Sequence, residues 1–448
     1  MESLSAVRRA MRDHGVVEIL VKRLAPNDNS KNQIYVGDDL SSLGKLPSGE
    51  VTLHAGTSRK QEPSKRGPIF RAALDFAWLD PTARVRPAPN AKLIVYPQYP
   101  EVRLSGFLAG CPEAPSVLFD PAKRGRESGR VLLLGLANDR RVIAAVYSAD
   151  HPIAQEIRLL QGEKYGALEI LPDDAAPRIG GEALLMSELS RIHRLGWIRS
   201  KRLTAVGEVD CRGTNCGGYT LEAELGILAN GFAEPDYHGW EVKQHNVGDL
   251  LQPRASRVTL FTPEPTGGVY VEEGPEAFIR RWGYPDRLGR PDRLNFGGVY
   301  RCGERPHPLT SLRLMLIGFD SKSGQFDGGG KVALVDDTDA TAAEWSFAKL
   351  MDHWKRKHDK AAYIPSVSEN DPVNRYRYGK DVLLAEGAFF KRLLRAFDAG
   401  SVFYDPGIKL ENAEGPRPAV KRRSQFRIAS GGLQELYDVT RTIDVSAA

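Results

Sequence analysis

The sequence predicts a two-part chain, mainly β at first and α/β afterwards. Three observations carry this expectation. Short apolar runs alternate with charged residues early in the chain. A stretch rich in Pro, Gly and Asp interrupts it near residue 170, and longer helical periodicity appears only beyond that point. At 448 residues the chain is long enough for two domains, each with its own core. Its 41% hydrophobic and 27% charged residues are those of a globular chain rather than a disordered or membrane one.

In order, "VVEILVKRL" (Val16 to Leu24) alternates like a half-buried strand, and "VTLHAG", "AKLIVYP", "RVLLLGL" and "RVIAAVYS" repeat that character between Pro and Gly turns. Residues 1–165 therefore read as a mainly β barrel or sandwich. "GALEILPDDAAPRIGGEA" (166–183) reads as a linker. From Leu184 the pattern is α/β to residue 448. "ALLMSELSRIHRLGWI" and "YTLEAELGIL" read as helices, "HGWEVKQH" and "VTLFTPEP" as strands, "GPEAFIRRWGY" as a helix and "SLRLMLIGFD" as a strand. "TAAEWSFAKLMDHWKRKH" and "DVLLAEGAFFKRLLRAFDAG" are expected to be helical throughout.

The start, "MESLSAVRRAMRDHG", is polar and charged, and no apolar run approaches the ~20 residues of a spanning helix. No membrane association and a cytoplasmic location are expected. Cys111, Cys211, Cys216 and Cys302 are few and scattered, which fits a reducing compartment better than a disulfide framework. Cys211 and Cys216 lack a second pair at zinc-ligand spacing. The net charge of +5 is mild, so its placement matters more than its size. Basic clusters occur at "SRKQEPSKRG" (58–67), "KRGRESGR" (123–130) and "PRPAVKRRSQFR" (416–427), the last without an acid. One such cluster is ordinary solvated surface. Three beside a nuclease-type centre point to phosphate contact.

That centre is sought in "TLEAELGILANGFAEPDYHGWEVKQH" (220–245). On a strand, Glu241 and Lys243 share one face while Trp240 and Val242 share the other. Asp236, arriving from the turn, can meet the first face. Two carboxylates a few ångströms apart repel unless a cation lies between them, so Mg²⁺ is the natural partner. A metal lowers the pKa of a bound water, and Lys243 can orient that water or offset charge on a phosphate. Glu222, upstream on a helix, would add a further carboxylate, while Glu224 falls nearly on the opposite side of that helix. Taken alone, D-x₄-E-x-K is better read as a strand with surface charges and a salt bridge.

"GYTLEAELGI", a Gly/Pro turn and "DYHGWEVK" together resemble the PD-(D/E)XK nucleases of the MvaI/BcnI restriction endonuclease family, cousins of the mismatch-repair nickase MutH. The resemblance runs on through "GWIRSKRLTAVGEVDCRGTNCGG", "VTLFTPEP", "VFYDPGIKLENA" and "VKRRSQFRI", from about Leu184 to the C-terminus. It implies a monomeric, Mg²⁺-dependent endonuclease of double-stranded DNA, working beside a cognate DNA methyltransferase. Asp236, Glu241 and Lys243 match the catalytic triplet, with Asp236 and Glu241 as metal ligands, and Glu222 matches the helix glutamate. "TNCGG" is longer than the family's short Gly-rich turn, which bears on how DNA approaches there.

The same resemblance places DNA reading in "GIKLENAEGPRPAVKRRSQFRI". Arg pairs with guanine O6 and N7, and Gln with adenine. Arg422, Arg423, Gln425 and Arg427 are the base-reading candidates, with Lys409 and Lys421 on phosphates. As one strand, Arg423, Gln425 and Arg427 would share a face. The alternative is a basic solvated hairpin. His245 either touches the scissile phosphate or is a plain strand-end histidine.

In the first part, "ILVKRLAPNDNSKNQIYV" (19–36) reads as strand, polar loop and strand. It resembles the start of the effector-binding pseudobarrel domain of EcoRII, which implies two DNA-contacting arms. Asn27, Asp28, Asn29, Lys31, Asn32 and Gln33 would form one, and Arg59, Lys60, Lys65 and Arg66 the other. The expected protein is thus a PD-(D/E)XK endonuclease domain behind a mainly β pseudobarrel DNA-binding domain. A MutH-like nickase, a modification-dependent nuclease and a non-catalytic DNA-binding regulator are the alternatives.

Overall fold

The computed structural model describes all residues except 27–32, 38–44, 57–66, 98–100, 163, 173–180, 214, 229–236, 252–255, 359, 371–372 and 448. The chain divides into two compact units, Met1–Arg178 and Ile179–Ala448. No described helix is long and apolar enough to cross a membrane.

In the first unit the described strands form two open sheets rather than a closed barrel. One has seven strands in the order Lys164–Tyr165, Leu168–Ile170, Val16–Leu24, Arg130–Ala137, Val142–Tyr147, Phe76–Leu79 and Val85–Pro87. The other has five, Ile34–Gly37, Glu101–Ser105, Lys92–Tyr96, Ile69–Ala73 and Thr52–His54. Leu168–Ile170 pairs with Val16–Leu24 through Leu20↔Ile170, so part of the expected linker is a strand of this unit. Among the described residues, two helices escaped the sequence reading, Leu4–Asp13 and Pro152–Leu159. The first opens on Ser3, whose hydroxyl accepts from the Ala6 N–H, and buries Leu4, Val7 and Met11 against Ile19, Val131 and Ile143. Its charged outer face hid that stripe.

The second unit is built on a mixed sheet in the order Ile198–Arg199, Arg375–Tyr378, Lys360–Glu369, Asp381–Glu386 and Val439–Asp444. The strand Glu241–Asn246 runs parallel to Lys360–Glu369, with Glu241 opposite Ala361 and Lys243 opposite Tyr363. The helices Gly181–Arg194 and Cys216–Glu224 cover one face of this sheet. Leu185, Leu189, Ile192 and Leu221 interlock there with Trp240, Val242, Ile364 and Leu384. Gly217 lets the second helix approach closely, since a Cβ there would stand 2.8 Å from Gln244 Oε1. Tyr378 locks that approach by donating from its hydroxyl to the Gly217 carbonyl at 2.7 Å. Smaller sheets complete the unit. Arg257–Phe261, Phe426–Ala429 and Val402–Tyr404 form one, and Tyr284–Pro285, Arg293–Gly297, Gly407–Glu411 and Ala419–Lys421 another. Arg313–Asp320, Gln325–Val335 and Thr341–Ser346 form a third.

Two stretches expected to be wholly helical divide. Thr341–Ser346 is a strand paired with Gln325–Val335, and only Phe347–Lys357 is helical. Ser346 marks the junction as an N-cap, accepting from the Lys349 N–H. Asp381–Glu386 is likewise a strand between Lys360–Glu369 and Val439–Asp444, and the helix begins at Phe390. Sheet pairing overrides the helix propensity of the Ala and Leu residues in both.

The cysteine expectation also changes. Cys211 and Cys216 are joined in a disulfide, with Cα atoms 5.7 Å apart, at the first residue of the helix Cys216–Glu224. Cys111 and Cys302 are free thiols.

Candidate active site

The site strand emerges from a tight reversal. Tyr237 and Trp240 exchange backbone hydrogen bonds, each 2.9 Å, across His238 and Gly239. Both loop residues have positive φ, 45° and 86°, as a two-residue hairpin turn of primed type requires. The strand then alternates. Trp240 and Val242 enter the core under the helices, and Glu241, Lys243 and His245 point to the other face.

Glu241 is only 3% exposed, and Lys243 Nζ donates to its Oε1 at 2.9 Å. With the Lys243 side chain 14% exposed, the pair sits largely out of solvent. An ammonium held there offsets a buried carboxylate and leaves one compact cationic group at the surface edge of the site. Burial pushes His245 down to about 4, so it is neutral near pH 7. Its Nδ1 is buried without a hydrogen-bond partner among the described residues. On the opposite face, Gln244 donates to Ser366 Oγ at 2.6 Å and Asn246 Oδ1 at 2.7 Å, which ties down the strand end.

Glu222 is half-buried on the helix that packs against Trp240 and Val242, the face opposite Glu241, and its charge acts on the Tyr378 phenol. Glu224 faces elsewhere, bound to Lys201 at 2.7 Å and Arg191 at 3.3 Å. The structure thus brings Glu241, Lys243 and His245 onto one face. Asp236 lies outside the described residues. Among those described, no three His, Cys, Asp or Glu residues gather as a metal site. The carboxylate of Glu241 is a hard oxygen donor of the kind Mg²⁺ takes, so the donor chemistry fits that ion.

The C-terminal basic segment is arranged differently from the expected single strand. Ala419–Lys421 pairs with Gly407–Glu411, residues 422–425 are outside any strand, and Phe426–Ala429 joins another sheet. Arg422 and Arg423 are exposed, while Gln425 is 5% exposed. Arg427 is held by Asp405 at 2.8 Å and donates to the Arg257 carbonyl. Arg423, Gln425 and Arg427 therefore do not share an open face, because the chain changes sheets between them. Lys421 pairs with Glu411 at 2.7 Å, and Lys409 stands opposite it in the ladder.

In the first unit Gln33 is 8% exposed, not displayed on an arm. It donates to the Tyr96 hydroxyl at 3.2 Å and accepts from Arg103 at 3.3 Å. Asn27, Asp28, Asn29, Lys31, Asn32, Arg59, Lys60, Lys65 and Arg66 lie outside the described residues.

Sequence reasoning missed the polar groups beside the pair. Tyr363, opposite Lys243, is fully buried, and its hydroxyl lies 2.6 Å from that of Tyr437.

A buried Glu–x–Lys pair on the face of a mixed sheet, in a unit with exposed arginines, fits a sequence-specific DNA endonuclease. The model of the MvaI/BcnI restriction endonuclease family matches residues 186–437, and the chain belongs to that family. It is a type II site-specific deoxyribonuclease. No curated protein matches. Among solved structures, the restriction endonuclease MvaI bound to its cognate DNA is 20% identical, covering 58% of this chain and 96% of that chain, with a TM-score of 0.45. MvaI in the absence of DNA is 20% identical over 61% of this chain and 100% of that one, with a TM-score of 0.33.

Proposed function

We propose that this enzyme hydrolyses DNA phosphodiesters with Mg²⁺, one strand at a time, at Glu241 and Lys243 together with Asp236. The observation that carries the reading is the Glu241–Lys243 pair, 2.9 Å apart and largely buried on one strand face. Glu241 and Asp236 would hold the ion, whose chemistry is to acidify water and offset charge on the phosphate. Lys243 presents a positive charge to the phosphate, and Glu241 fixes the orientation of that ammonium. Glu222 stands on the helix over the opposite strand face, so the ion is assigned to Glu241 and Asp236 without it. Neutral His245 can serve the phosphate only as a hydrogen-bonding group, not as a cation.

Exposed Arg422 and Arg423 would reach bases, with Lys409 and Lys421 on phosphates. The first unit would be a second DNA-binding module, contacting effector or target DNA through the basic or polar residues at 27–32 and 59–66. A single active site per monomer cuts one strand and then reorients for the second, and a methyltransferase of the same specificity would protect host DNA. The test is digestion of methylated and unmethylated DNA with and without Mg²⁺, followed by sequencing of the ends. Cleavage at full rate after chelation of divalent ions would refute the metal-dependent reading.

A further inference from the structure

The face that carries Glu241 and Lys243 holds a second polar assembly. Directly paired residues on neighbouring strands point to the same side, so Tyr363 lies beside Lys243 on that face. Its hydroxyl is 2.6 Å from the Tyr437 hydroxyl, which is 2.9 Å from His358 Nδ1. His358 Nε2 in turn is 3.1 Å from the Leu260 carbonyl. Tyr363 and His358 are 0% exposed and Tyr437 1%. A carbonyl only accepts, so Nε2 donates to Leu260. A neutral imidazole then accepts at Nδ1 from Tyr437, which accepts in turn from Tyr363. Stacking on Trp354 at 4.1 Å and 18° fixes the imidazole plane, and Trp354 is itself anchored by donating to the Ala388 carbonyl.

This chain of bonds joins distinct segments. Leu260 belongs to Arg257–Phe261, whose ladder partner Phe426–Ala429 contains Arg427. His358 follows the helix Phe347–Lys357, Tyr363 is in the strand beside the site, and Tyr437 precedes Val439–Asp444. The sheet holding the cleavage pair and the sheet holding the arginine thus share one dry hydrogen-bonded tie. Such a tie is stable only when every member is paired, since an orphaned buried hydroxyl or ring nitrogen is costly.

We propose that Tyr363, Tyr437 and His358 are positioning residues for the Glu241–Lys243 pair, holding strand Lys360–Glu369 so that the pair keeps the separation cleavage requires. The proposal rests on Glu241 and Lys243 being the cleavage centre.

Tyr437→Phe removes the central hydroxyl and strands both neighbours. Tyr363→Phe removes one end and keeps the Tyr437–His358 bond. In the full-length protein three quantities are measured: the single-turnover cleavage rate at saturating DNA, DNA affinity in Ca²⁺, and Ca²⁺ affinity by calorimetry. Thermal unfolding reports whether each variant is folded. For Tyr437→Phe the rate is expected to fall about ten- to a hundred-fold and Ca²⁺ affinity several-fold, while DNA affinity stays within about two-fold. A folded Tyr437→Phe with wild-type rate overturns the proposal, as does equal loss of rate and DNA affinity, which marks a general structural role. If Tyr437→Phe does not fold, a wild-type rate in Tyr363→Phe overturns it equally. A Glu241→Gln protein that still cuts would instead remove the underlying reading.

Discussion

Lys243 donates to Glu241 across 2.9 Å from two residues further along the same strand, with the glutamate almost wholly shielded. Alternation alone makes the two side chains neighbours, and the parallel partner Lys360–Glu369 keeps the strand straight enough for the contact. Glu241→Gln keeps the volume but removes the charge that holds the ammonium and would bind a cation. Cleavage is expected to drop by at least about a hundredfold while DNA binding in Ca²⁺ persists. Lys243→Ala should match it, and Glu222→Gln should be milder. Rates of plasmid nicking and linearisation decide this, and wild-type rates in Glu241→Gln would move the catalytic centre elsewhere.

His245 supplies a pH signature. An ordinary histidine titrates near 6.5 and the buried one at about 4. Between those values the unfolded chain holds a proton that the native chain does not, so native stability falls as pH drops from about 6.5 toward 4. The contribution is on the order of 3 kcal/mol by pH 4 and vanishes above pH 7. His245→Gln should flatten that part of the urea midpoint-versus-pH curve. Parallel curves for the two proteins would contradict the burial argument.

The basic C-terminal segment should separate into reading and bracing. Arg423 is exposed, so Arg423→Ala is expected to cost about 1–3 kcal/mol of discrimination between cognate and near-cognate DNA. Lys421→Ala should weaken binding to all sequences and reduce its salt dependence. Gln425→Ala and Arg427→Ala should act on stability first, because one is buried and the other is bound to Asp405. Binding to cognate and random duplexes over a salt series, with melting curves, sorts them. A uniform affinity loss in all four would leave the segment a general basic surface.

The Cys211–Cys216 bond closes a short ring at the start of the helix that carries Glu222. A loop of that length constrains the unfolded chain by about 2 kcal/mol. Reductant, or Cys211→Ser with Cys216→Ser, should lower the urea midpoint accordingly. An unchanged midpoint would show that the bond adds nothing to the fold.

The sequence made some of this legible and hid the rest for physical reasons. Trp240–Val242 against Glu241–Lys243 follows from a period of two, which any strand obeys. The strands at Val16–Leu24, Arg130–Ala137 and Val142–Tyr147 were equally plain, since each is a compact apolar run between turns. Thr341–Ser346 and Asp381–Glu386 were not, because Ala and Leu favour helices and the partners that make them strands are distant in sequence. The disulfide was masked by the sparse cysteines. The Tyr363–Tyr437–His358 tie was invisible because its members lie up to 79 residues apart and no spacing rule links them. Gln425 looked like a reader of bases because composition does not report burial.

The reversal between Tyr237 and Trp240 has a consequence for how this enzyme can change. Two residues with positive φ turn the chain into the site strand, whose phase is held by its parallel pairing with Lys360–Glu369. A substitution at His238 or Gly239 strains the loop but preserves the phase. Residues added within the reversal would leave that phase intact while lengthening the gap from Asp236 to Glu241. A residue passed on into the ladder would instead exchange the fates of odd and even positions, sending the ammonium inward among the apolar helices and the valine outward.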